Sequence, residues 1–151
     1  MNKPKDQPTF DDMAHTCLAL RLRLLNRVVT NLYDDALRPL NLKVSQLNLL
    51  VVTAKFGLAQ PAIVCEFLQL DTSTLSRNVE RLRARGWLKA VKGKDARALP
   101  FRLTARGRKL LARAIPAWER AQRQAAEVLG DMGIVLLKEA AGKLGLRLAD
   151  H

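Results

Sequence analysis

The sequence predicts a mainly α-helical chain with one small β-hairpin. Three observations predict it. Apolar residues recur at helical spacing in several separate stretches, such as Leu75, Val79 and Leu82 at i, i+4 and i+7. Only one stretch alternates: Leu99, Phe101 and Leu103 are apolar around Pro100 and Arg102, the period of a half-buried strand. Stop and start residues divide the helical stretches, with Pro39, Gly57, Pro61, Gly86 and Thr104 at their ends.

In chain order, residues 1–10 read as a flexible arm, and Met1 to Pro8 lacks the apolar core of a signal peptide. Asp11 or Asp12 begins a long helix that Arg38-Pro39 stops. It carries two adjacent apolar stripes, Leu18, Leu22, Leu25, Val29, Leu32 and Ala36 beside Cys17, Leu20, Leu24 and Val28. That is more than one packing partner needs, which predicts burial against a second subunit as well as its own domain. A second helix runs from Val44 or Ser45 to Phe56, ended by Gly57. Pro61 suits the first turn of a third, ending near Leu68 with Val64, Phe67 and Leu68 inward.

Gln69-Leu70-Asp71 then turns into a fourth helix, capped by Asp71 or Thr72 and closed by Gly86. Its inner stripe is Leu75, Val79 and Leu82, and its outer side carries Ser73, Arg77, Glu80 and Ala84, flanked by Ser76 and Arg81. Two helices joined by so short a turn, the second polar outside, make a helix-turn-helix. Trp87 to Lys92 and Leu99 to Leu103 read as the strands of a wing around Gly93-Lys94-Asp95-Ala96-Arg97, with Pro100 marking an edge strand. Thr104 caps a helix to about Leu129 with its face near Leu111, Ala114, Trp118, Ala121, Ala125 and Val128 and a bend expected at Pro116. Gly130-Asp131 breaks to a last helix striped with Leu137, Ala140, Leu144 and Leu148.

Charge points to the partner. The chain carries 26 Lys+Arg against 14 Asp+Glu, a net of +12. Residues 77–113 hold 13 basic residues and 2 acidic ones, so 37 residues carry +11 and the other 114 only +1. A surface evolved only for solubility mixes its signs; an excess confined to one segment is the footprint of phosphate contact. Arg77, one turn into its helix, has the reach to pair bidentately with guanine. Arg97 sits at the wing tip, where it would enter a minor groove, and Asp95 would fix its direction.

Other classes fare poorly. No run of 18 uncharged apolar residues predicts a membrane span. Cys17 and Cys65 fall inside predicted helices, outside any disulfide framework, which fits a reducing cytoplasm. His15 and Cys17 would point about 200° apart on a helix and cannot share a metal. No glycine-rich phosphate loop or nucleophile elbow is present, so no catalytic residue, metal or cofactor is expected.

These residues resemble the MarR family of bacterial transcription regulators. The resemblance rests on Ser73-Thr74-x-Ser76-Arg77, Leu82-x-x-x-Gly86, Asp95-x-Arg97 and Leu103-Thr104-x-x-Gly107, and covers about residues 11–148. It implies a homodimer built by residues 11–40 and 105–151 around a winged helix-turn-helix domain at 41–104. It further implies a repressor of a palindromic operator on double-stranded DNA, released by a small aromatic or lipophilic acid. Carried over by position, Ser73, Thr74, Ser76 and Arg77 would face the major groove, Arg97 would enter the minor groove and Asp95 would hold it. Arg81, Lys92 and Lys94 complete the expected DNA-binding set. Gln69 stands where a turn glycine is common in the family, and Cys65 where alanine is. Two alternatives stay open: a cysteine-based redox-sensing regulator acting through Cys17 near Arg21, and a non-specific architectural nucleic-acid binder.

Overall fold

The computed structural model of the chain describes residues 8–92 and 99–145. The order is α1 (Phe10–Thr16), α2 (Leu18–Leu37), a 3-10 turn (Arg38–Leu40), α3 (Val44–Phe56), α4 (Pro61–Leu68), α5 (Thr72–Ala84), β1 (Leu88–Ala90), β2 (Phe101–Leu103) and α6 (Ala105–Lys143). This is the mainly α fold with a small β-hairpin that the sequence predicts.

The first helix departs from expectation twice. It starts earlier, at Phe10, because Thr9 and Asp12 form a reciprocal capping box. It also breaks at Cys17, whose ψ of 110° is extended rather than helical. Cys17 therefore lies between helices, not inside one, and its Sγ accepts from the Leu20 N–H at 3.4 Å as the cap of α2. The Arg21 guanidinium reaches back across the break to the His15 carbonyl.

The core gathers Leu37, Leu42, Leu50, Val64, Leu82 and Phe101 where α2 to α5 meet the hairpin. Phe56 and Phe67 meet edge to face at 5.5 Å, which ties α3 to α4. Asp34 of α2 accepts the Val44 N–H at 2.8 Å and so caps α3 from a neighbouring element. That bond fixes how the long N-terminal helix meets the helix-turn-helix.

The hairpin strands fall within the expected spans but are shorter, and β2 has a second neighbour. β1 and β2 pair antiparallel with Lys89 opposite Arg102. Val91 N–H donates to the Pro100 carbonyl at 2.8 Å, but proline has no N–H to return, so the ladder ends there. Phe101 also exchanges both backbone bonds with Ala59, at 2.8 and 3.0 Å. β2 is thus flanked on both sides at Phe101 and is not the edge strand that Pro100 implied.

α6 runs in helical register through Pro116, and its interruption falls at Gly130, with φ 65° and ψ 166°. The break at Gly130 is as expected; the bend expected at Pro116 is not matched by any departure from helical dihedrals there. The buried face is Gly107, Leu110, Ala114, Ala117, Ala121 and Ala125. Trp118 and Val128, expected on that face, are exposed. Alanines let α2 approach closely along α6, and Tyr33 of α2 donates to Gln122 of α6. The bulky residues are left outside: Leu18 is 74% exposed, Leu22 59% and Met132 71%. One chain therefore presents long apolar faces on α2 and on the distal part of α6 that its own fold does not cover.

Candidate nucleic-acid interface

The fourth predicted helix is α5, and its two sides separate as the sequence implies. Leu75 and Leu82 are buried and Val79 is half-buried, while Ser73, Ser76, Arg77, Glu80 and Arg81 are exposed. The preceding turn needs a left-handed residue, and Gln69 supplies it at φ 52°. Its side chain donates to the Glu66 carbonyl at 2.7 Å, which offsets part of the strain a glycine would avoid.

Asp71 organises the front of the helix. Its Oδ1 accepts the Thr74 N–H at 2.8 Å and the Ser73 hydroxyl at 2.6 Å, and its Oδ2 accepts the Thr74 hydroxyl at 2.7 Å. The Ser73 hydroxyl, then the Thr74 hydroxyl and N–H, hold the carboxyl well below the usual carboxylate range. With both protons committed to Asp71, Ser73 and Thr74 present only oxygen lone pairs outward. They are set to accept hydrogen bonds rather than to donate them. Arg77 lies one turn on, 3.5 Å from the Thr74 hydroxyl, with its remaining donors in solvent.

The hairpin is held to the helices by a knot of backbone bonds. Thr104 Oγ donates to the Gly86 carbonyl at 2.6 Å and accepts the Gly107 N–H at 3.0 Å, capping α6. Thr104 N–H donates to the Trp87 carbonyl at 3.1 Å. A Cβ on Gly107 would lie 2.2 Å from that same carbonyl, so only glycine fits. This gives the Thr104-x-x-Gly107 pattern a physical cause. Lys92 is exposed at the base of the wing. Lys94, Asp95 and Arg97 lie outside the described residues.

Among the described residues, the ion pairs are Arg38–Asp35 and Lys43–Asp34, and neither uses a cation of the 77–113 segment. The described cations of that segment thus have no carboxylate at ion-pairing distance. Among the same residues, no group of three or more His, Cys, Asp or Glu is placed to hold a metal. No helix among the described residues is long and apolar enough to cross a membrane. Cys17 is exposed and Cys65 half-buried.

Residues 59–107 match the family of winged helix DNA-binding domains. No curated protein matches the sequence. Solved structures do. A variant of MarR from E. coli, complexed with operator DNA, shares 19% identity over 87% of this chain and 96% of its own, with a TM-score of 0.77. A probable transcriptional regulator from Pseudomonas aeruginosa shares 23% over 87% and 98%, with a TM-score of 0.76. BpsR from Bordetella bronchiseptica, whose DNA binding is regulated by 6-hydroxynicotinic acid, shares 21% over 89% and 96%, with a TM-score of 0.75. The chain has the fold of the MarR regulators, built around a winged helix DNA-binding domain.

Proposed function

We propose that this chain is a homodimeric, sequence-specific transcriptional regulator that represses from a palindromic operator and is released by a small aromatic or lipophilic ligand. One observation carries the DNA reading. α5 buries Leu75 and Leu82 and turns Ser73, Ser76, Arg77 and Arg81 to solvent, beside cations that no described carboxylate neutralises. A helix so presented fits a major groove, with Arg77 reading a base and Arg81 and Lys92 meeting phosphates. Ser73, Thr74 and Ser76 would line the groove wall. The wing residues Lys94 and Arg97, with Asp95 orienting the arginine, complete the proposed contact.

The uncovered apolar faces of α2 and α6 support the dimer, since burying them needs a second copy. Two copies would set two reading helices on half-sites about one helical turn, or roughly 34 Å, apart. The similarity to operator-bound MarR and to ligand-responsive BpsR supports the regulator reading. The cytoplasm is the proposed location.

A mobility-shift assay tests this, comparing DNA from upstream of the chain's own gene with random duplex at physiological salt. Preferential binding is expected. Equal affinity for both would replace this reading with a non-specific architectural binder.

A further inference from the structure

The hydroxyl directions at the front of α5 bear on which bases the helix can read. Ser73 is exposed and lies one turn, about 6 Å, before Arg77 on the same side of the helix. Its hydroxyl has one proton, and Asp71 Oδ1 takes it at 2.6 Å. The Thr74 hydroxyl is committed in the same way to Asp71 Oδ2 at 2.7 Å, and it faces Arg77 Nη2 at 3.5 Å. Thr74 is half-buried, so its place is to steer the arginine. Ser73 is the residue that turns its oxygen lone pairs to solvent.

An ionised carboxylate fixes that direction. Ser73 and Thr74 hold the Asp71 carboxyl well below the usual carboxylate range, so at neutral pH it has no proton to give and only accepts. Whatever meets Ser73 must therefore bring a hydrogen. A backbone phosphate carries none, and the Asp71 charge directly behind the hydroxyl repels it. Base edges in the major groove do carry one: cytosine presents its N4 amino group and adenine its N6 amino group. Thymine presents O4 where cytosine has N4, and guanine presents O6 where adenine has N6.

We infer that Ser73, oriented by Asp71, selects the exocyclic amino group of a cytosine or adenine in the major groove, within about two base-pair steps of the base that Arg77 reads. Exchanging cytosine for thymine, or adenine for guanine, replaces a hydrogen by a lone pair at the same spot and leaves two acceptors opposed. The bond to Asp71 also polarises the Ser73 hydroxyl, which makes it a stronger acceptor. The inference rests on the DNA reading proposed above and adds to it the class of base that the helix front takes.

Selection of bound duplexes from a random library tests it, followed by mobility shifts on single changes to the consensus. The position read by Ser73 is the one whose preference Ser73→Ala alters. There the wild type should hold cytosine or adenine, and thymine or guanine in its place should weaken binding about ten-fold. Analogues without the amino group, 2-pyrimidinone for cytosine or unsubstituted purine for adenine, should weaken the wild type similarly and Ser73→Ala little. The arm that responds identifies the base. Ser73→Ala should shrink the discrimination to within about two-fold, and Ser73→Thr should restore it. Asp71→Gly keeps a residue that helix starts accept but frees the hydroxyl to rotate and donate, so it too should accept either base. Circular dichroism checks that each variant is folded. Thymine or guanine at the Ser73 position of the wild type would overturn the inference, as would undiminished binding to the analogue duplex. Full discrimination kept by Asp71→Gly would do the same. A consensus that Arg77→Ala disrupts and Ser73→Ala leaves intact would overturn this inference alone. A library with no enriched sequence would overturn it together with the regulator reading.

Discussion

Replacing Gly107 by alanine isolates the junction between wing and α6. In an exposed helix interior, glycine to alanine stabilises by about 1 kcal/mol. Here the sign reverses. The added Cβ would sit 2.2 Å from the Trp87 carbonyl oxygen and 3.0 Å from Leu103 Cδ2. Carbon and carbonyl oxygen normally approach no closer than about 3.3 Å, so the carbonyl must retreat by about 1.1 Å. That carbonyl accepts the Thr104 N–H at 3.1 Å, and the retreat breaks the bond. Overpacking costs about 1–3 kcal/mol and the lost bond about 0.5–1.5 more, against the propensity gain of about 1. The net is a loss of about 0.5–3.5 kcal/mol, a fall in Tm of roughly 1–14 °C at fixed protein concentration. Urea and thermal unfolding measure it. Gly142→Ala is the reference, because nothing lies within 4 Å of its added Cβ, and it should match or exceed the wild type. A Gly107→Ala chain as stable as Gly142→Ala would refute the steric account of the motif.

Four further outcomes follow from the same geometry. Arg77→Ala should lose about 1–3 kcal/mol on the operator and little on random DNA, read by mobility shift; unchanged operator binding would remove α5 from the major groove. Lys92→Ala should weaken all duplexes alike and lower the salt slope by about 1. Asp34→Ala should cost about 1 kcal/mol through loss of the α3 cap, with Asp34→Asn milder because it keeps an acceptor; equal losses in chemical denaturation would disprove the cap. Asp71 is held below its ordinary value of 3.8 by Ser73 and Thr74, so its contribution to stability is whole above that pH and fades as acid titrates it through the lowered value. Asp71→Asn should therefore show a shallower acid loss than the wild type, and identical acid profiles would count against the network.

How legible the fold was depended on whether one face or two had to be explained. α5 has a single apolar stripe and a fully polar opposite side, so periodicity alone assigned Leu75 and Leu82 inward and Arg77 outward. α6 has apolar residues all round. Periodicity cannot say whether Ala117 or Trp118 faces the chain's own α2, and the bulkier residue was the wrong choice. Close helix approach favours the alanine, and the tryptophan is left on the uncovered side. The break at Cys17 had no glycine or proline to announce it, since a single ψ angle ends α1. Pro100 was read wrongly as the mark of an edge strand, because the second partner of Phe101 is Ala59, some 40 residues earlier.

The same distinction between local and distant causes governs the site. Helix geometry is local, so the outer residues of α5 could be placed from spacing. The commitment of the Ser73 and Thr74 hydroxyls to Asp71 is local too, but it depends on rotamers that spacing leaves open. Asp34 caps a helix that begins ten residues later, and nothing in its own neighbourhood distinguishes it from Asp35, which pairs with Arg38 on the surface. A cationic groove is the extreme case. Its walls come from 39–41, 84–87 and 106–113, and each segment alone reads as an ordinary charged helix end. Only when the 3-10 turn, the end of α5 and the start of α6 converge do four cations enclose an apolar floor. The cationic segment therefore holds two distributions among its described residues: part is exposed along α5 and at Lys92, and part lies in a recess at the C-terminal end of α5.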